Sequence, residues 1–299
     1  MGEFVIDEDE ARDLLGGDQS SIKSVGVLIK RTLDSEEFKP PLLPEVALSL
    51  TELSGKPNVS IREVEEVVQR DPVVAARVVA VANSAFFNRG VTIKSLRNAI
   101  TRLGMSEVRD IAFQVVAQTR IFRVKPYLAP MRSLFETSQA AGLLAKKTCR
   151  LLRFESELAY LCGLFHDMGL AIILGIIAER ARKQKHKPPE IEAIEDALDA
   201  FHAQAGARVC TMWGMPDLIT DAIWHHHKPE RSSNPSQMAT VVAIADVLLR
   251  HAGIGCDASP IEPLQERLFY KVNLTPEQVK ELLLFSEDVA ERLGEYCVG

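Results

Sequence analysis

The chain has 299 residues, 46% of them hydrophobic and 25% charged, enough apolar material for one large domain or two ordinary ones without disulfide or metal staples. Lysine and arginine number 35 against 41 aspartates and glutamates, a formal net charge of −6 with no long basic block, which argues against a nucleic-acid binder. No apolar run is expected to reach the ~20 residues of a bilayer span, and the acidic start "MGEFVIDEDEARDLL" lacks the form of an export signal, so the expectation is a cytoplasmic protein that engages neither nucleic acid nor membrane.

Taken in chain order, almost every assignable segment reads as helix, because apolar residues recur at spacings of three and four and the breaks carry capping chemistry. The first 20 residues have the lowest apolar density and read as a peripheral helix or arm. In "VSIREVEEVVQRDP", Ser60 and Glu63 have capping-box spacing, and Ile61, Val64, Val67 and Val68 fall on one face. Asp71 suits an N-cap and Pro72 the first helical position of "VVAARVVAVANSAFF", with Asn83 and Ser84 as its polar stop. Ser106 is the expected cap of "EVRDIAFQVVAQTRIF", Pro216 opens "DLITDAIWHHH", and Ser236 caps "QMATVVAIADVLLRHAG", which Gly253 ends. Thr275-Pro276-Glu277-Gln278 opens a last amphipathic helix that runs through Tyr296. The five cysteines (Cys149, Cys162, Cys210, Cys256 and Cys297) form no CxxC pair and sit in helical patterns, so they read as buried or idle thiols.

Chemistry concentrates in one stretch. Of the seven histidines, His166, His202, His225, His226 and His227 lie in or beside apolar helical patterns, whereas His186 and His251 stand apart in polar surroundings. His166 and Asp167 interrupt the apolar "GLFHDMGLAII", and Asp246 interrupts "VVAIADVLL". A buried carboxylate without a partner costs several kcal/mol, so Asp167 and Asp246 each require a histidine or a cation. Singly, these residues also fit ordinary roles: a core histidine bonded to a carbonyl, a helix-start His202, or a histidine run at a helix C-terminus. Jointly, two carboxylates and several imidazoles on the inner faces of helices form a ligand set suited to Fe, Mn or Zn.

The order of these residues resembles the HDOD family, the signalling-associated branch of the HD superfamily of all-helical metal-dependent phosphohydrolases. The resemblance covers roughly residues 35 to 250. It rests first on "PPLLPEVALSLTELS", "VEEVVQRDPVVAARVVAVANSAFFN" and "SLRNAITRLGMSEVRDIA", then on "AYLCGLFHDMGLAIIL", "FHAQAGARVCTMWGMPDLITDAIWHHHKP" and "TVVAIADVLL". It implies an all-α chain: an N-terminal helical arm (1–34), an HDOD-like domain (35–250) and a C-terminal helical extension (251–299). Within the domain, an N-terminal helical subdomain (35–125) packs on a distorted HD-type helical bundle (126–250).

Carried over by position, the resemblance makes His166 and Asp167 the signature dyad. His202 with one or both of His226 and His227 would hold the second metal of binuclear members, and Asp246 would return to the first. It also places Thr137 where the first histidine ligand belongs, so the first-metal half lacks a ligand. The implied function is a signal-transduction or regulatory module that acts on a protein partner in a signalling pathway. Its pocket would hold a divalent metal, a nucleotide or nothing, with weak catalysis or none. The alternative is a metal-dependent phosphohydrolase acting on a nucleotide or cyclic dinucleotide.

Overall fold

The computed structural model describes residues 19–35, 38–84, 86–87, 90–154, 157–233 and 237–296, and every regular element among them is helical. The expectation for the first 20 residues falls mainly on residues 1–18, outside the described ones, as do the proposed cap Ser236 and the thiol of Cys297. Helix α1 (Gln19–Leu33) buries Ile29 and Leu33 in the main core.

A smaller core belongs to α2 (Glu45–Ser54), α3 (Ile61–Val68), α4 (Pro72–Ala82), α5 (Leu96–Leu103) and α6 (Met105–Val116). Local chemistry starts several of them. The Ser60 and Glu63 side chains satisfy each other's backbone N–H groups, and Val64, Val67 and Val68 are buried beneath them. Ile61, expected on that face, is instead 42% exposed, because its side chain sits at the first turn, outside the packed stripe. Asp71 Oδ1 accepts from the N–H groups of Val73 (2.9 Å) and Val74 (3.2 Å), with Pro72 at the first helical position.

Asn83 does more than stop α4. Its Nδ2 donates to the carbonyls of Val79 and Ile93, and its Oδ1 accepts from the Ile93 N–H, so one amide ties down the loop after the helix. Ser106 does not cap α6. The helix begins one residue earlier from Gly104, whose φ of +82° breaks the chain between α5 and α6, and Ser106 lies inside the first turn.

Asp71→Ala is expected to cost about 0.5–2 kcal/mol, the usual loss for an N-cap. Chemical denaturation measures that loss, and elemental analysis should show unchanged metal per folded molecule. A stable Asp71→Ala protein that had lost its metal would place Asp71 at the metal centre and sink this assignment.

The main core is built by α7 (Leu128–Leu151), α8 (Ala159–Phe165), α9 (Met168–Gln184), α10 (Glu195–Met212), α11 (Asp217–His225) and α12 (Met238–His251). Phe113 on α6 meets Phe165 edge to face at 5.7 Å, and Phe165 meets Trp213 at 6.1 Å, so an aromatic chain runs from the smaller subdomain to the residue before His166. Trp213 Nε1 donates to the Pro41 carbonyl at 2.9 Å, joining the segment before α2 to the end of α10. Helices α13 (Pro263–Lys271) and α14 (Pro276–Tyr296), with the turn between them, add Phe269, Val272, Leu274, Leu282 and Val289 to the same core. As expected, Thr275 and Gln278 form reciprocal capping bonds at the start of α14.

Residues Ala159–Gln184 are together long and apolar enough to cross a membrane, which corrects the expectation that no run has that length. The most apolar 18 residues of this stretch are 78% buried in the core, and a turn at His166–Asp167 divides the stretch into α8 and α9. Cys149, Cys162 and Cys210 are buried free thiols. Burial pushes Cys149 up to about 12 and raises the other two, which keeps them protonated and unreactive at neutral pH.

Candidate metal centre

His166 and Asp167 occupy the turn between α8 and α9, not the middle of one continuous helix, and the break lets both side chains face inward from a single point on the chain. His202 lies in the interior of α10 and is not a helix-start residue. His226 and His227 fall in the turn directly after α11.

What brings α9 against α10 is a residue without a side chain. A Cβ built on Gly169 would lie 1.8 Å from the His202 carbonyl oxygen and 2.9 Å from the Gly206 nitrogen, so the two backbones touch immediately beneath Asp167 and His202.

The ligand atoms of Asp167, His202, His226 and His227 all lie within 4.8 Å of one another. Asp167 Oδ1 is 3.3 Å from His202 Nε2 and 3.5 Å from His226 Nε2, and Oδ2 is 3.1 Å from His166 Nε2. His227 Nε2 is 2.8 Å from His202 Nε2 at the exposed edge of the group. His166, His202 and His226 are buried, and the Asp167 side chain is 23% exposed, so the group opens to solvent on one side.

Each buried ring is oriented by a backbone carbonyl. Nδ1 of His166, His202 and His226 lies 2.8, 2.9 and 2.7 Å from the carbonyl oxygens of Gly163, Leu198 and Ile223. A carbonyl only accepts, so each Nδ1 carries the proton, and a neutral ring then turns its Nε2 lone pair inward. Lone pairs converging on one another and on a carboxylate repel unless a cation or protons lie between them. His166 Nε2 carries the same message, being buried near Asp167 without the alignment of a hydrogen bond. The donor set therefore fits a divalent ion, with carbonyl-fixed imidazoles of the kind that support metal ligands.

Without a metal, the electrostatics show the same demand for positive charge. Burial works against the Asp167 carboxylate, yet His166, His202 and His226 hold it well below its ordinary range. Burial likewise opposes charge on His166, but adjacent Asp167, with Asp246 farther off, lifts it to about 9. The same carboxylate raises His202 against its burial. Burial keeps His226 low, and burial together with the neighbouring imidazoles keeps His227 low.

Three other residues take different places. His225 turns away, its Nδ1 3.0 Å from Asp221 Oδ1. Asp246 does not join the cluster; its Oδ2 pairs with the Arg250 guanidinium at 2.6 Å one turn along α12, so the partner it needs is a cation on its own helix. Thr137, at the expected first-ligand position, donates its hydroxyl to the Leu134 carbonyl at 2.9 Å. A Cβ built on Gly255 would lie 2.2 Å from Thr137 Cγ2, so the loop after α12 abuts that position. Sequence reasoning missed Gly169, Arg250 and Gly255. Only Arg250 carried a local signal, its spacing of four from Asp246.

Residues 41–229 match the family model described as the HDOD domain. A curated protein of Treponema pallidum (strain Nichols), named only as uncharacterized, is 21% identical over 220 residues; these are 70% of this chain and 42% of that protein, so the chain spans less than half of its relative. Among solved structures, an HDOD domain protein of unknown function from Geobacter sulfurreducens superposes with a TM-score of 0.71 at 21% identity, over 92% of this chain and 99% of its own. A protein of Shewanella amazonensis SB2B, named as a candidate metal-dependent phosphohydrolase, has the same score and identity over 93% and 100%. A candidate signal transduction protein of Marinobacter aquaeolei VT8 scores 0.68 at 22% identity, over 99% of this chain and 67% of its own.

Proposed function

Because the chain belongs to the HDOD domain family, we propose that it is a cytoplasmic signal-transduction module whose HD-like pocket holds one divalent metal and catalyses hydrolysis weakly or not at all. The observation that carries this reading is the inequality of the two halves of the site. Asp167, His202, His226 and His227 converge, whereas Thr137 spends its hydroxyl on a carbonyl and Asp246 is held by Arg250.

Asp167 and the three imidazoles would hold the ion, and His166 would steady Asp167 from its other oxygen. Fe, Mn and Zn suit this mixed imidazole and carboxylate set. A bound divalent ion supplies Lewis acidity, but two-metal phosphoryl chemistry needs ions on both the attacking and leaving oxygens. This chain's residues build one such place. With the chemistry curtailed, the function left to the fold is to present helix surfaces to a protein partner, with the metal as a brace between α9, α10 and the end of α11.

Elemental analysis of chain purified without chelator tests the metal. Wild type is expected to retain a divalent transition metal and Asp167→Ala to lose it; equal, negligible metal in both would leave only a buried His-Asp network. In assays with nucleotides and cyclic dinucleotides and added Mn or Fe, turnover is expected to be absent or far below about 1–10³ s⁻¹. Turnover inside that range, abolished by Asp167→Ala, would establish a phosphohydrolase instead. Thr137→His is expected to add no activity, because an imidazole there must displace the Gly255 loop.

A further inference from the structure

Between the smaller subdomain, α7 and α14 lies a second cavity of about 310 Å³, and none of its lining residues belongs to the His/Asp group. Its unusual member is Gln139 on α7. The side chain is 1% exposed, and neither Oε1 nor Nε2 has a hydrogen-bond partner among the described residues. A buried amide left unmatched at both ends costs stability, and an apolar residue of the same size would not. An amide in that position is explained by something that enters the cavity and answers it.

The remaining walls say what that something is. Tyr160, Phe87 and Phe285 give the cavity aromatic faces. An amide offers an acceptor beside a donor, so its complement is an edge with a donor beside an acceptor, the pattern a nucleobase carries. Lys147 and Arg150 line the same cavity. Lys147 pairs with Glu281 and lies 5.6 Å from the centre of the Phe285 ring, while Arg150 is exposed on the last turn of α7. Lys146 is already committed to Glu107 and Asp110, and Lys147 to Glu281, so the anionic end of a ligand belongs at the rim beside Arg150. The volume lies at the small end of the range for ligand pockets, suited to one base and its sugar with the charged group outside.

We propose that this cavity binds a mononucleotide, its base against the Gln139 amide and the aromatic walls and its phosphate at the rim beside Arg150. The assignment does not depend on the metal centre.

Calorimetric titration of the full chain with the 5′-monophosphates of adenosine, guanosine, cytidine and uridine at millimolar concentration tests it. At least one is expected to saturate the protein. Gln139→Leu should weaken that binding tenfold or more while raising the melting temperature of the unliganded chain. Arg150→Glu should weaken binding at the surface without touching the core, and Asp167→Ala should leave it unchanged. Saturation by none of the four would overturn the proposal, as would undiminished binding in either Gln139→Leu or Arg150→Glu. Loss in Asp167→Ala alone would move the nucleotide to the metal centre and likewise overturn it. If Gln139→Leu fails to fold, the amide has a structural role and the proposal falls.

Discussion

Asp110→Ala is expected to lower the free energy of unfolding by about 3–5 kcal/mol, the range for removing one member of a buried ion pair. Arg109 and Asp110, adjacent on α6, are 0% and 2% exposed, and Arg109 Nη2 is 3.1 Å from Asp110 Oδ1. Lys146 on α7 closes the network on Asp110 at 2.9 Å and on Glu107 at 2.8 Å, and Arg109 also donates to the Glu157 carbonyl.

Burial holds the Asp110 carboxyl above its ordinary value even against Lys146 and Arg109, so desolvation outweighs what the two cations return. Losing a partner is the costly event. Arginine cannot shed its proton, and the Arg109 guanidinium already has Nε and Nη1 without hydrogen bonds. Alanine at 110 would therefore leave a sealed cation supported mainly by a carbonyl and a long contact of 3.7 Å to Glu157. Urea titration of wild type, Asp110→Ala and the apolar double variant Arg109→Met/Asp110→Leu checks this. The double variant should recover most of the loss, and a single-variant loss below about 1 kcal/mol would refute the network's role.

The second large effect is steric. Gly169→Ala places a methyl group 1.8 Å from the His202 carbonyl oxygen, a distance no packed structure tolerates. Alanine gains about 1 kcal/mol of helix propensity over glycine, whereas overpacking a core typically costs about 1–3 kcal/mol and at backbone contact more, so the balance is expected to be destabilising. To accommodate the methyl group, α9 must move off α10, which separates Asp167 from His202. Metal content should fall in step with stability. Gly175, in the same helix, supplies the control: its added Cβ finds only Val124 Cγ2, at 4.0 Å, so Gly175→Ala should stabilise by up to about 1 kcal/mol and retain the metal. Equal stability of Gly169→Ala and wild type would contradict the close crossing.

The features legible in the sequence are those decided within four residues. Ser60 with Glu63, Asp71 with Pro72, and Thr275 with Gln278 each complete their bonds inside one turn, and each appears where its pattern places it. Ser106 misled because a hydroxyl near a helix start resembles a cap, while the chain break was made two residues earlier by the positive φ of Gly104. Asp167, His202, His226 and His227 were legible as residue types in an order, and the structure adds their convergence from two turns and one helix interior. Gly169, Gly255 and Gln139 were not legible. Their meaning lies in what a distant segment places beside them, a carbonyl, a threonine methyl group or a cavity, and local pattern carries no trace of that.

The bond from Trp213 to the Pro41 carbonyl bears on the order in which the protein acquires its shape. Its partners are 172 residues apart, and α1 likewise docks on α9 and α10, so the first described helix finds its burial only after two thirds of the sequence has left the ribosome. At synthesis rates of about 5–20 residues per second, Ile29 and Leu33 wait on the order of ten seconds or more for their partners. The smaller subdomain, whose own core lies between Val46 and Val115, has no such wait. Folding during synthesis should thus begin in the smaller subdomain and seat the first described helix only once α9 and α10 have emerged, so that helix is made before its neighbours in the smaller subdomain but buried after them.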